Sequence, residues 1–143
     1  MKRIKIKLSR KKHKDSKIVA KLVVITAENK VLLLKRSNYL EKHKKEWDLP
    51  GGHIHEGEDL LKGLAREVKE ETKIKTKNPK FVFQEKNNYF YFDRLDPKKI
   101  TLSKEHTAHI FLTIEEIKDL KSITNYYKEV VLKCFQAFET EYD

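Results

Sequence analysis

Glu67, Glu70 and Glu71 stand at i, i+3 and i+4 of the segment Arg66-Glu67-Val68-Lys69-Glu70-Glu71, so a helix through them gathers three carboxylates on one face. Like charges at this spacing repel, at roughly 0.2–0.5 kcal/mol per exposed pair. A divalent cation reverses the sign of that cost. Hard cations such as Mg²⁺ take carboxylate and carbonyl oxygens, keep several waters and are commonly completed by substrate phosphates. The chemistry indicated is therefore phosphate chemistry. On the three glutamates alone, a solvated acidic face is the competing reading, and both stand.

The element that must carry these acids is an amphipathic helix from about Asp59 to Thr72, in which Leu60, Leu61, Leu64, Ala65 and Val68 recur at helical spacing and leave the acids facing a cleft. Glu58 and Asp59 are expected in its first turn, where the helix dipole favours negative charge. All four glycines, Gly51, Gly52, Gly57 and Gly63, fall just before or within this segment, marking one place where backbone shape matters. Upstream, Ile18 to Thr26 and Val31 to Lys35 read as a strand pair around the turn Ala27-Glu28-Asn29-Lys30. Downstream, Phe81 to Phe83 and Tyr89 to Phe92 read as aromatic strands around Lys86-Asn87-Asn88. Another strand is expected over Ala108 to Leu112. Thr113 with Glu116 forms a capping-box signature for a short helix. A final helix carries Tyr127, Val130, Val131, Cys134, Phe135 and Phe138 on its buried side, which makes Cys134 a core residue rather than a nucleophile. Together these elements describe a mixed α/β domain with helices packed on a sheet.

Read together, loop and helix resemble a known pattern. Gly52, five residues, Glu58, seven residues, Arg66-Glu67, then Glu70-Glu71 and Ile74 are similar to the Nudix box of the Nudix hydrolase family. Trp47-Asp48-Leu49-Pro50-Gly51 looks like the usual approach to that box. One defining position departs: Lys73 stands where the family has glycine. That glycine suits a left-handed cap, a conformation costing another residue about 1–2 kcal/mol, so Lys73 bears on how the helix ends and removes no ligand. The pair His53-Ile54-His55 followed by Glu58 also looks like the HxH-plus-acid pattern of cupin metal sites, but cupin ligands sit on barrel strands and Glu58 leads into a helix.

The resemblance implies a Nudix fold, a mixed sheet sandwiched between helices, in one domain over residues 1–143. It implies hydrolysis of a nucleoside diphosphate linked to another group, with Mg²⁺ or Mn²⁺ as cofactor. Carried over residue by residue, Glu67, Glu70 and Glu71 bind metal, joined by the Gly51 carbonyl and, through water, by Glu58. Arg66 is expected to pair with an acid such as Glu58 and so fix the loop against the helix. The general base is open among Glu105, ahead of the next strand, and the box acids Glu67 and Glu70. Gly52, His53 and Arg36 match positions near substrate phosphates. Tyr91 lies near the downstream tyrosine associated with dinucleoside polyphosphate hydrolases. Pro79 is too close to the box to match the proline of many ADP-ribose hydrolases. Nucleoside triphosphates and dinucleoside polyphosphates are the expected substrates; the alternatives are the 5′ end of RNA or a non-catalytic nucleotide- or RNA-binding module.

The chain has 143 residues, 38% hydrophobic and 38% charged, with a net charge of +10, one cysteine and no apolar run long enough to suggest a membrane span. A disulfide framework is excluded, and the start MKRIKIKLSR lacks the apolar stretch of a secretory signal, so the cytoplasm is the expected address. The charge is concentrated: residues 1–17 hold nine Lys or Arg against Asp15 alone. Ile4, Ile6 and Leu8 alternate with polar residues as in a strand with a lysine-covered face; as an arm, the same segment offers phosphate contacts to RNA. Oligomeric state is not encoded in any of these patterns.

Overall fold

The computed structural model describes residues 17–40 and 45–142. The expected strand around Ile4 to Leu8 and the basic arm lie outside the described residues, apart from Lys17. Ten elements follow in order: β1 (Val19–Ile25), β2 (Val31–Arg36), β3 (Trp47–Asp48), β4 (Gly51–His53), α1 (Leu60–Thr72), β5 (Lys80–Glu85), β6 (Asn88–Arg94), β7 (His106–Leu112), α2 (Ile114–Asp119) and α3 (Asn125–Tyr142). The sheet runs β3-β2-β1-β6-β5, with β4 pairing β1 and β7 pairing β2. It is mixed, since β1 pairs parallel to β6 and antiparallel to β2 and β4.

Because successive strand residues point to opposite faces, β1 supplies both halves of the core. Ala20, Leu22 and Val24, with Leu32 and Leu34, pack on Leu60, Leu64 and Val68 of α1. Val23, Ile25, Val31 and Leu33, with Phe90 and Phe92, pack on Ile117 of α2 and Val130, Val131 and Cys134 of α3. The expected helix–sheet–helix sandwich is the architecture found. Burial of each large aliphatic side chain on α1 contributes about 1.5–3 kcal/mol, which fixes the helix that carries the acids.

Both ends of α1 are set by single residues. The Asp59 carboxylate accepts from the Lys62 N–H at 3.1 Å and is the N-cap, so the helix starts at Leu60. Glu58 and Asp59 thus precede the first turn rather than lying in it, a correction that follows from the cap needing a non-helical backbone. At the other end Lys73 adopts φ 65°, ψ 13°, and its N–H donates to the Lys69 carbonyl at 2.9 Å. The left-handed cap is present without glycine. Thr113 and Glu116 form the expected reciprocal capping box of α2. Strands β5, β6 and β7 extend beyond the expected ranges, and the short β3 and β4 lie either side of Leu49-Pro50, with two glycines in β4 itself, where propensity gives no strand signal.

Candidate active site

Strand β4 brings backbone, not side chains, to the acids of α1. Gly51 has φ +125°, and a Cβ there would lie 2.2 Å from the Ala20 carbonyl oxygen, so only glycine lets β4 approach β1 this closely. Gly52 faces the helix: a Cβ would lie 2.3 Å from Glu67 Oε1. The loop and the Glu67 carboxylate are in direct apposition.

Arg66 knits the surrounding carboxylates together. Its Nε and Nη2 donate to both Glu58 oxygens at 2.8 and 3.0 Å, a two-point pair that adds geometric specificity. Nη1 donates to Glu67 Oε2 at 3.0 Å and to Glu70 Oε2 at 3.2 Å. Nη2 also reaches the His53 carbonyl at 3.1 Å. The hydrogen bonds from Arg66 hold the Glu58 carboxyl below its ordinary pKa. The pairing of Arg66 with Glu58, expected from the sequence, ties the loop between β4 and α1 to the helix, and the bond to the His53 carbonyl ties β4.

Glu71 behaves differently from its neighbours. It is only 5% exposed, and its Oε1 accepts the Gly51 N–H at 3.0 Å. Burial pushes its pKa up to about 8, against the pull of the nearby Lys21 charge and the Gly51 hydrogen bond. The three acids share a helix, but only Glu67 and Glu70 converge toward solvent. Glu71 turns inward because its helical position faces β4.

Sequence reasoning missed Lys21. It is the single charge inside the apolar β1 run and is 7% exposed. That isolated charge was the available signal. Its Nζ donates to Asp48 Oδ1 at 3.1 Å, to the Leu49 carbonyl at 3.0 Å and to the Gly51 carbonyl at 3.2 Å. The Gly51 oxygen that the family resemblance assigns to metal is thus already a lysine acceptor. Asp48 is buried too, with Arg36 Nη1 at 3.4 Å and His106 Nε2 at 3.3 Å from its Oδ2. Burial alone would raise the Asp48 pKa, but the Lys21 charge and the His106 hydrogen bond take it well below the usual carboxylate range. Burial alone would lower that of Lys21, and the Asp48 charge reverses this.

A cleft of about 310 Å³ opens on the α3 side of the sheet, lined by Lys21, Arg36, Trp47, Phe90, Tyr126 and Tyr127 among others. Lys21 lines this cleft and also holds the Gly51 carbonyl, so it is the residue shared by cleft and loop. Arg36 sits in this cleft. Tyr91 does not: it is 2% exposed and packs in the half of the core facing α1. The alternation of β6 sends Phe90 to the cleft side and Tyr91, expected among substrate contacts, to the buried face that packs on α1. The His53 side chain is exposed, and Glu105, exposed just before β7, acts on it electrostatically.

Fit to a divalent cation rests on the donors themselves. Glu67 and Glu70 present oxygens from one helix face toward a single Arg66 nitrogen, an all-oxygen set suited to a hard ion. Among the described residues no three His, Cys, Asp or Glu side chains are already grouped to hold an ion. Arg66 draws on Glu67 and Glu70, and Glu71 faces inward. Substrate oxygens and waters would complete the shell.

Comparison with known proteins places this site in context. The family described as "NUDIX domain" matches residues 16–133. Nudix hydrolase 7 of Arabidopsis thaliana is 27% identical over 135 residues, covering 85% of this chain and 48% of that protein. An RNA pyrophosphohydrolase of Pelagibacter ubique is 41% identical over 54 residues, 38% of this chain and 32% of that protein. The chain thus spans no more than half the length of these curated relatives. Among solved structures, a MutT protein from Methanosarcina mazei superposes with a TM-score of 0.69 at 28% identity, covering 87% of this chain and 94% of that one. Among the described residues no helix is long and apolar enough to cross a membrane.

Proposed function

The chain belongs to the NUDIX domain family, and from that premise we propose that it is a divalent-cation-dependent pyrophosphohydrolase acting on nucleotides, with nucleoside triphosphates or dinucleoside polyphosphates as substrates. The observation that carries this reading is the Glu67–Glu70 face of α1 held by Arg66 against the Gly51–His53 backbone, with Lys21 joining the Gly51 carbonyl to the aromatic cleft.

Each part has a role within this reading. Trp47, Tyr126 and Tyr127 offer rings to a base, and such stacking contributes about 1–3 kcal/mol per base. Arg36, at the rim of that cleft, offers a charge to a phosphate. Glu67 and Glu70 would hold the Mg²⁺ or Mn²⁺, with Glu58 acting through Arg66 to keep both carboxylates and the loop in place. When bound, such an ion supplies phosphate charge neutralisation and a water of lowered pKa. Arg66 is a positioning residue, since its five hydrogen-bonding groups are spent on protein oxygens. Glu105, outside the carboxylate set that Arg66 gathers, is the first candidate to accept the proton of the attacking water, with Glu67 and Glu70 as the alternatives.

A panel of nucleoside triphosphates, dinucleoside polyphosphates, sugar nucleotides and 5′-triphosphate RNA, incubated with Mg²⁺ or Mn²⁺, tests the reading. Cleavage of a phosphoanhydride bond that stops on chelation is the expected result; inertness toward every member with both ions would overturn it. The stretch of 41% identity to an RNA pyrophosphohydrolase favours one second reading, in which a 5′-triphosphate RNA end is the substrate. Turnover of RNA well above that of free triphosphates would select it.

A further inference from the structure

Lys21 is a buried charge at the site that the proposed hydrolysis does not use. A lysine ammonium has three donors, and here Asp48, Leu49 and Gly51 take all three within 3.2 Å. The Gly51 peptide is gripped from both sides: its carbonyl by Lys21, its N–H by the Glu71 carboxylate. Glu71 is also close enough to act on Lys21 electrostatically. The inner end of the acid set, consisting of the Gly51 oxygen and Glu71, therefore already has a cation of its own. Its charge is fixed there by Asp48 and by strand β1, which cannot move without breaking the pairing of Lys21 with Gly51 in the β1–β4 register.

We propose that the Lys21 ammonium is a built-in cation occupying the Gly51–Glu71 end of the site, so that divalent ions are left to the Glu67–Glu70 end and Lys21 limits how many bind and how tightly. This inference rests on the reading of α1 as a cation-binding helix. Like-sign charges on one carbonyl oxygen repel strongly where water is scarce, so a dication at Gly51 and a charged Lys21 compete. A lysine that merely braced the loop would leave ion stoichiometry unchanged when replaced.

The test is a nucleotide-free Mn²⁺ titration followed by electron paramagnetic resonance of the free ion, on the wild-type chain, on Lys21→Met and on Lys21→Met/Asp48→Asn. The double variant guards against the buried Asp48 charge being stranded and unfolding the single variant. The expected result is that at least one folded variant binds an additional Mn²⁺ or binds Mn²⁺ at least 10-fold more tightly than wild type. Binding by wild type and variants that is equal in number and affinity, or weaker in the variants, overturns the inference and leaves the cation-binding reading of α1 intact. No Mn²⁺ binding by any of the three proteins removes both.

Discussion

Replacing Lys73 by glycine should make the protein more stable without touching its chemistry. Lys73 ends α1 in the left-handed region, at φ 65° and ψ 13°, while its N–H closes on the Lys69 carbonyl at 2.9 Å. A residue with a Cβ holds this conformation at a cost of about 1–2 kcal/mol that glycine avoids. Glycine in turn loses more freedom on folding, roughly 0.4–1 kcal/mol, and removes a cation from a helix C-terminus, where charge contributes about 0.3–1 kcal/mol. Taken at their midpoints these terms leave Lys73→Gly a few tenths of a kcal/mol above wild type and about 1 kcal/mol above Lys73→Ala, which loses the same charge without relief of the strain. Urea denaturation and differential scanning calorimetry read it directly. Lys73→Ala is the control, because it loses the charge yet keeps the strain, and it should show no gain. A glycine variant no more stable than the alanine variant would refute the reasoning. So would a change in hydrolytic rate, because Lys73 donates no oxygen to the site.

The remaining predictions concern the loop and the acid behind it. The two adjacent glycines should fail in opposite ways: Gly51→Ala meets the Ala20 carbonyl and a forbidden φ, costing about 3 kcal/mol or more, whereas Gly52→Ala meets only the movable end of Glu67. Gly52→Ala is therefore expected to keep its Tm within a few degrees while losing at least ~10-fold in turnover, and the reverse pattern would contradict the geometry. For Glu71, a folded pKa near 8 lies above its ordinary value of 4.5, so it favours folding fully at low pH and loses that contribution as pH rises through about 8. Metal-free Glu71→Gln should accordingly match wild type near pH 4 and exceed it above pH 8, by at most about 5 kcal/mol. Equal stability at pH 9 in urea titrations would show that the carboxylate is not desolvated.

How much of this was legible in the sequence depended on how local each feature is. Helix α1, its acids and the capping box of α2 rest on contacts three or four residues apart, and their spacing reveals them. The Arg66–Glu58 pair spans eight residues but lies within one contiguous motif. Lys21 and Asp48 are 27 residues apart and meet only because β3 pairs with β2 beside β1, which no periodicity encodes. The aromatic run of β6 announces two faces without saying which is the cleft; that choice is set by the parallel pairing with β1, and it moved Tyr91 into the core. Glu71 was grouped with Glu67 and Glu70 by helical spacing, yet its burial comes from the Gly51 N–H, a partner 20 residues away.

The claim beneath all of this is that the carboxylates of α1 hold a divalent ion on which nucleotide hydrolysis depends. Turnover of the best substrate at saturating Mg²⁺, compared between wild type and Glu70→Gln, tests it most directly. Glu70 is well suited, because its side chain is 58% exposed and its loss should leave the core untouched. The account predicts a fall of at least ~100-fold with an unchanged Tm, from lost metal-assisted charge stabilisation. Equal rates in the two proteins would contradict it.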